Sequence, residues 1–263
     1  MVNGHPVWFR GKRVLDAVLD FLRTDYNLGA ATEVLLSGGS AGGLACFLHA
    51  DHVRAQFADS VKFKGAPVSG YFLNHATVDG KVSSIQSTMQ WLLPAMNSTS
   101  AAHPACIAAT PAGLQWGCLF ANESYHRAAT PLFPLNSAID KYQVQSILDF
   151  DRSCASDEFK RCSLQQIDQL NQWEKDFLRD LQDNDGYTRV GNGGFIESCL
   201  EHVAAQYSGT VNKYAVGGVT MMQGLVAWWE DPADSPSYNR LHWHLPCELE
   251  SRFIPHQCNP TCV

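Results

Sequence analysis

The sequence predicts an α/β fold, with a largely parallel sheet and helices on both faces. Three observations carry that expectation. Apolar runs of strand length alternate with segments of helical periodicity, the pattern from which parallel sheets are built. The apolar run Val34-Leu35-Leu36 passes through a glycine-rich turn directly into a second apolar segment, Leu44-Ala45-Cys46-Phe47-Leu48. With 263 residues, 45% hydrophobic and 17% charged, the chain suits one globular domain over 1–263 with a substantial core.

The elements follow in order. Val14, Ala17, Val18, Phe21 and Leu22 share one face at helical spacing. Glu33 to Ser37 reads as a buried strand, and the segment after the turn as a helix to about Ala55. Ser60 to Gly65 is a second strand. Pro131-Leu132-Phe133-Pro134-Leu135-Asn136 is a third, although its internal proline is awkward in a central strand. Ser163-x-x-Gln166 forms a capping box. It opens a helix that buries Leu164, Ile167, Leu170, Phe177, Leu178 and Leu181. Thr188 to Gly194 is a loop, and a helix is expected from Ser198. The Pro-, Cys- and Trp-rich tail reads as loop, and no internal repeat or low-complexity linker is present.

Composition narrows the function. A net charge of −7 gives no basic footprint for nucleic acid. No apolar stretch is long enough to span a bilayer. The segment Met1 to Val7 has no basic region followed by an apolar one, so no signal peptide is read in this chain. The cysteines nevertheless point to an oxidising compartment. There are nine, and local pairs such as Cys106 with Cys118 or Cys154 with Cys162 read as loop staples. The sequons Asn97-Ser98-Thr99 and Asn122-Glu123-Ser124 favour secretion too. The odd count implies a free thiol or an absent partner, and Cys46, in the apolar helix, is a candidate for ordinary core packing.

Gly38-Gly39-Ser40-Ala41-Gly42 carries the chemistry. A G-x-S-x-G pentapeptide between a strand and a helix is a nucleophile elbow, which holds the serine in a strained conformation beside the positive end of a helix. A plain Gly/Ser turn is the competing reading, and the flanking strand and helix weigh against it. A serine hydroxyl needs a base, and the base an orienting acid, in the chain order Ser, Asp or Glu, His. Asp140 follows the third strand by a few residues, but it also fits a helix N-cap, and Asp149 and Asp151 compete. Among ten histidines, His49 and His52 are too close in sequence to face back onto Ser40. His242 and His244 form an H-x-H pair without further metal-ligand pattern, so a core or surface role is expected. His202, after the glycine-rich loop, leads without being decisive.

Several segments together resemble the pectin acetylesterase/Notum family of serine carboxylesterases. They are Leu36 to Ala45, Gln115 to Phe120, Thr130 to Phe133, Asn136 to Asp140, Phe195 to His202 and Cys258-Asn259-Pro260-Thr261-Cys262. Phe9-Arg10-Gly11-x-Arg13-Val14 also resembles the segment leading into the family's helix before the elbow. The likeness spans nearly the whole chain in the right order. Phe195-Ile196-x-Ser198-Cys199-x-x-His202 and the Cys-Asn-Pro-Thr-Cys tail bring it nearest the plant-type pectin acetylesterases. The resemblance implies an α/β-hydrolase-like fold with Ser40 as nucleophile, Asp140 as orienting acid and His202 as general base. It also implies acetylated pectin or a related cell-wall polysaccharide as substrate, a secreted location, and no metal or organic cofactor.

Two departures accompany it. The family carries an N-terminal region with a signal peptide, the first strands, and a Gly-Gly-Gly-Trp-Cys block that supplies oxyanion-hole N–H groups. No such block occurs here, so the chain is expected to be N-terminally truncated, with an exposed sheet edge. Ala41 N–H is then the expected oxyanion donor, and loss of one donor costs about a hundredfold to a thousandfold in turnover. The family's acidic residue before Gly70-Tyr71-Phe72-Leu73 is also missing, and Pro67-Val68-Ser69 stands there. The alternatives are a Notum-like lipid-protein carboxylesterase, marked by a large apolar pocket beside Ser40, and a catalytically impaired carbohydrate-binding relic. An unrelated lipase-like hydrolase stands further off.

Overall fold

The computed structural model describes residues 8–155, 161–232, 241–244 and 259–262. Helix α1 (Gly11–Asp25) leads into strand β1 (Glu33–Gly39), helix α2 (Ala41–Arg54) and strand β2 (Lys62–Val68). Helices α3 (Ser84–Ala95), α4 (Pro104–Ala109) and α5 (Ala121–Tyr125) precede β3 (Leu135–Ser137). Then come α6 (Lys141–Ser146), α7 (Arg152–Ala155), α8 (Leu164–Gln182), α9 (Asp185–Thr188) and β4 (Gly194–Glu197). The chain continues through α10 (Ser208–Val211), β5 (Ala215–Val216), β6 (Val219–Thr220), α11 (Met221–Glu230) and β7 (His242–His244).

Five strands form one sheet in the order β1-β2-β3-β4-β7, every pair parallel. Such a sheet is covered on both faces, and β2 alternates accordingly. Phe63 and Gly65 face α2, where a Cβ on Gly65 would overlap Leu132 and crowd Cys46. Ala66 and Val68 face the opposite layer, with Phe133, Phe195 and Trp228. Lys64, on that same side, is buried and caps α11. Its ammonium donates to the carbonyls of Trp228 at 2.7 Å, Trp229 at 3.2 Å and Asp231 at 2.7 Å. A cation at a helix C-terminus satisfies carbonyls that the helix leaves without partners. On the first face, α8 presents Ile167, Leu170, Trp173, Phe177 and Leu181 to the core.

Several expectations hold. Capping of α8 by Ser163 and Gln166 is reciprocal. Cys106–Cys118 and Cys154–Cys162 are disulfides, Cys199–Cys262 is a third, and Cys46 is a buried thiol. Cys247 and Cys258 lie outside the described residues.

Other expectations are corrected. Helix α1 forms, but Val14, Val18 and Phe21 are exposed, because the helix packs through Leu15 and Leu19 onto Val53 and Phe63. The third strand starts late. Leu132 makes only an isolated bridge to Gly65, and regular pairing begins after Pro134, which lacks the N–H a ladder needs. Leu164 is exposed at the first turn of α8. No helix starts at Ser198. Strand β4 ends at Glu197, and a turn leads to a short 3-10 segment at Ala204–Gln206. The tail contributes a strand, His242–His244, so it is not all loop. Within it the half-buried His242 has its Nε2 2.8 Å from the Tyr187 carbonyl.

Candidate active site

Parallel strands end together, so their carboxyl ends gather residues distant in sequence. Ser40 stands between the last residue of β1 and the first of α2. Its backbone has φ 57° and ψ −119°, a left-handed conformation that a residue with a side chain adopts only when its surroundings impose it. One hydrogen bond and one close backbone approach accompany it here. Ser40 N–H donates to the Val68 carbonyl at 2.9 Å. At Gly38 a Cβ would sit 2.7 Å from the backbone of Gly42, so the first glycine of the motif lets α2 close over the strand. Gly42 itself has open space at its Cβ position. Ala41 opens α2, so the helix itself offers its N–H no partner.

Asp140 follows β3 and caps α6. Its Oδ1 accepts from Gln143 N–H at 3.1 Å, while its Oδ2 lies 2.8 Å from His202 Nδ1. Asp149 and Asp151, the rival acids of the sequence reading, are not bonded to His202. His202 Nε2 is 2.8 Å from Ser40 Oγ. A carboxylate on one side requires the imidazole to donate from Nδ1, which leaves Nε2 to accept the serine proton. Asp140 is fully buried, and that burial pushes its carboxyl above the ordinary aspartate value, while the His202 hydrogen bond opposes the shift.

The supporting residues carried no signal in the sequence. Ser69, at φ 46°, accepts from Val203 N–H at 2.9 Å and pins the residue after His202 to the end of β2. Tyr142 stacks on His202 with ring centroids 5.4 Å apart, and Phe72 lies at 6.4 Å on a tilted plane. Gln143 is buried. Its side chain accepts from Leu73 N–H and donates to the Tyr71 carbonyl, each at 3.0 Å, which ties the segment after β2 to α6. Behind the aspartate, burial holds the Glu197 carboxyl well above its ordinary value, and the nearby Asp140 charge adds to the shift.

A parallel sheet with serine, histidine and aspartate linked in this way at its carboxyl end defines the α/β-hydrolase class of architecture. Residues 3–262 match the Pectinacetylesterase family, and the chain belongs to that family. It is 27% identical to pectin acetylesterase 5 of Arabidopsis thaliana over 99% of this chain and 58% of that protein. It is 28% identical to pectin acetylesterase 11 of the same plant, covering 98% of this chain and 63% of the relative. The chain thus spans about three-fifths of the length of these curated relatives. Among solved structures, the Wnt deacylase Notum from Drosophila superposes with a TM-score of 0.76 at 20% identity, covering 98% of this chain and 68% of that one. At that identity the likeness is one of fold.

Proposed function

We propose that this protein is a serine carboxylesterase that removes O-acetyl groups from a pectin-like cell-wall polysaccharide, with Ser40, His202 and Asp140 as its catalytic residues. The observation that carries the reading is the continuous hydrogen-bonded line from Ser40 Oγ through His202 to Asp140, each link 2.8 Å. Family membership supports the substrate class.

His202 Nε2 takes the Ser40 proton as Oγ attacks the acetyl carbonyl. Asp140 keeps the imidazole in the tautomer that can accept it, and stabilises the imidazolium that results. The oxygen of the tetrahedral intermediate gains negative charge beside Ala41 N–H and the N-terminal end of the 14-residue helix α2, where a helix favours an anion. The imidazolium then protonates the departing sugar oxygen, which leaves acetyl-Ser40. Water, deprotonated by His202, attacks that ester and releases acetate.

A long-chain acyl substrate finds less support. An apolar cavity of about 600 Å³ lies between α1, α2 and α3, lined by residues such as Leu44, Leu48, Met89 and Leu92. Ser40, Asp140 and His202 are not among its lining residues. For location, three disulfides fit an oxidising, extracellular setting, and Asn97 of the first sequon is exposed. Among the described residues no helix is long and apolar enough to cross a membrane.

The test is hydrolysis of p-nitrophenyl acetate and of acetylated pectin by the protein and by Ser40→Ala. The expected outcome is turnover that falls at least about a thousandfold in the variant. Equal rates would exclude Ser40 as nucleophile. A folded protein with no turnover would favour the carbohydrate-binding reading.

A further inference from the structure

The second residue of the elbow motif, Gly39, points away from α2. A Cβ built there would overlap the side-chain carboxamide of Gln206. The amide therefore lies directly against the backbone of the residue before the nucleophile. The backbone that carries it is held in place. Val203 N–H is held by Ser69 Oγ at 2.9 Å, and Gln206 N–H donates to the Val203 carbonyl at 2.9 Å, closing a 3-10 turn. Gln206 is exposed. It lies four residues beyond His202 on one pinned loop.

Which part of an ester meets it follows from the proton's route. His202 Nε2 delivers the proton to the leaving oxygen, so the alcohol portion of the substrate must lie on the His202 side of Ser40. The oxyanion lies toward Ala41 and the start of α2. Gly38 faces that helix, where its Cβ would meet Gly42, and Gly39 faces the other way. The Gln206 carboxamide therefore belongs to the alcohol side. It offers two N–H donors and a carbonyl acceptor, a set suited to hydroxyl groups next to the ester oxygen, as on a sugar ring.

We infer that Gln206 is a specificity residue, hydrogen-bonding the hydroxyl that neighbours the acetylated position of a polyhydroxylated leaving alcohol, and that Gly39 is glycine to make room for it. The inference rests on the serine-esterase reading above and deepens it. A site built to bond a hydroxyl discriminates against an alcohol that lacks one.

The experiment compares kcat/KM on two secondary ring acetates, methyl 3-O-acetyl-α-D-galactopyranoside and cyclohexyl acetate. The wild-type chain is expected to prefer the glycoside, and Gln206→Ala to lower that preference by about tenfold, the size expected for one hydrogen bond. Gly39→Ala should lower it in the same direction by displacing the amide, and should add nothing in the Gln206→Ala background. Ser40-dependent turnover with an unchanged preference, or with both rates falling in parallel, would overturn the inference and leave the esterase reading standing. No Ser40-dependent turnover on either acetate would remove both.

Discussion

At the scale of single residues, Ser40 joins strain to reactivity. Its left-handed backbone is worth about 1–3 kcal/mol of stored strain, and the Cβ that causes the strain also carries the proposed nucleophile. Ser40→Gly should therefore unfold at higher urea than Ser40→Ala, by about 1 kcal/mol, with both inactive. Equal stability would mean the elbow is unstrained. Asp140 has two oxygens with separate work, one capping α6 and one holding His202. Asp140→Asn keeps the cap acceptor but presents the wrong partner to the imidazole, and kcat should fall by about ten-thousandfold with little loss of stability. Ser40 was legible in the sequence because an elbow is local: five consecutive residues state it. On local reasoning alone His202 leads without being decisive, and Asp140 stands level with its rivals. Three aspartates and several histidines competed, and what selects among them is the convergence of strand ends. Only the family resemblance separated them. Ser69, Tyr142 and Gln206 reach Val203, His202 and Gly39 across the fold and leave no local trace.

At the scale of elements, the parallel sheet was readable where strands are long or bounded by strong signals. Strands β1 and β2 pair over seven residues each, and their apolar runs say so. Strands β3 and β4 have three and four residues. Segments that short are buried by neighbours that the sequence does not reveal, so Gly194 reads as loop and Ser198 as a helix start. The turn after β4 is held instead by Cys199–Cys262, which links positions 63 residues apart. In the loop-closure account such a link is worth about 4 kcal/mol. Replacing both cysteines by alanine should lower stability by about that amount. Because Cys199 stands three residues before His202, kcat should fall as well. Full kcat at unchanged stability would show that the loop is held without it. Lys64 makes a comparable link between β2 and α11. Lys64→Met should destabilise the fold by about 1–3 kcal/mol, since it strands buried carbonyls.

At the scale of the whole molecule, the core contains acids that the proposed chemistry does not use. Glu174 on α8 is 2% exposed, and among the described residues neither of its carboxylate oxygens has a hydrogen-bond partner. Burial pushes its carboxyl up to about 8, and Glu197 is raised in the same direction. The folded protein keeps the Glu174 proton up to that value, whereas the unfolded chain loses it above about 4.5. Between these limits the folded state binds more protons. Stability should therefore fall as pH rises from about 4.5 to about 8, by up to about 1.4 kcal/mol per pH unit for each such group. Glu174→Gln should flatten that slope in urea titrations run across the range, and a slope unchanged by the substitution would place the titration elsewhere. If the line of hydrogen bonds at the carboxyl end of the sheet activates Ser40, the reaction passes through a covalent acetyl intermediate on that serine. Mixing the protein with excess p-nitrophenyl acetate and taking its intact mass should show one added acetyl group, mapped to Ser40 and lost in Ser40→Ala. An acetyl group on another residue, or serine-independent turnover with no adduct, would contradict the account.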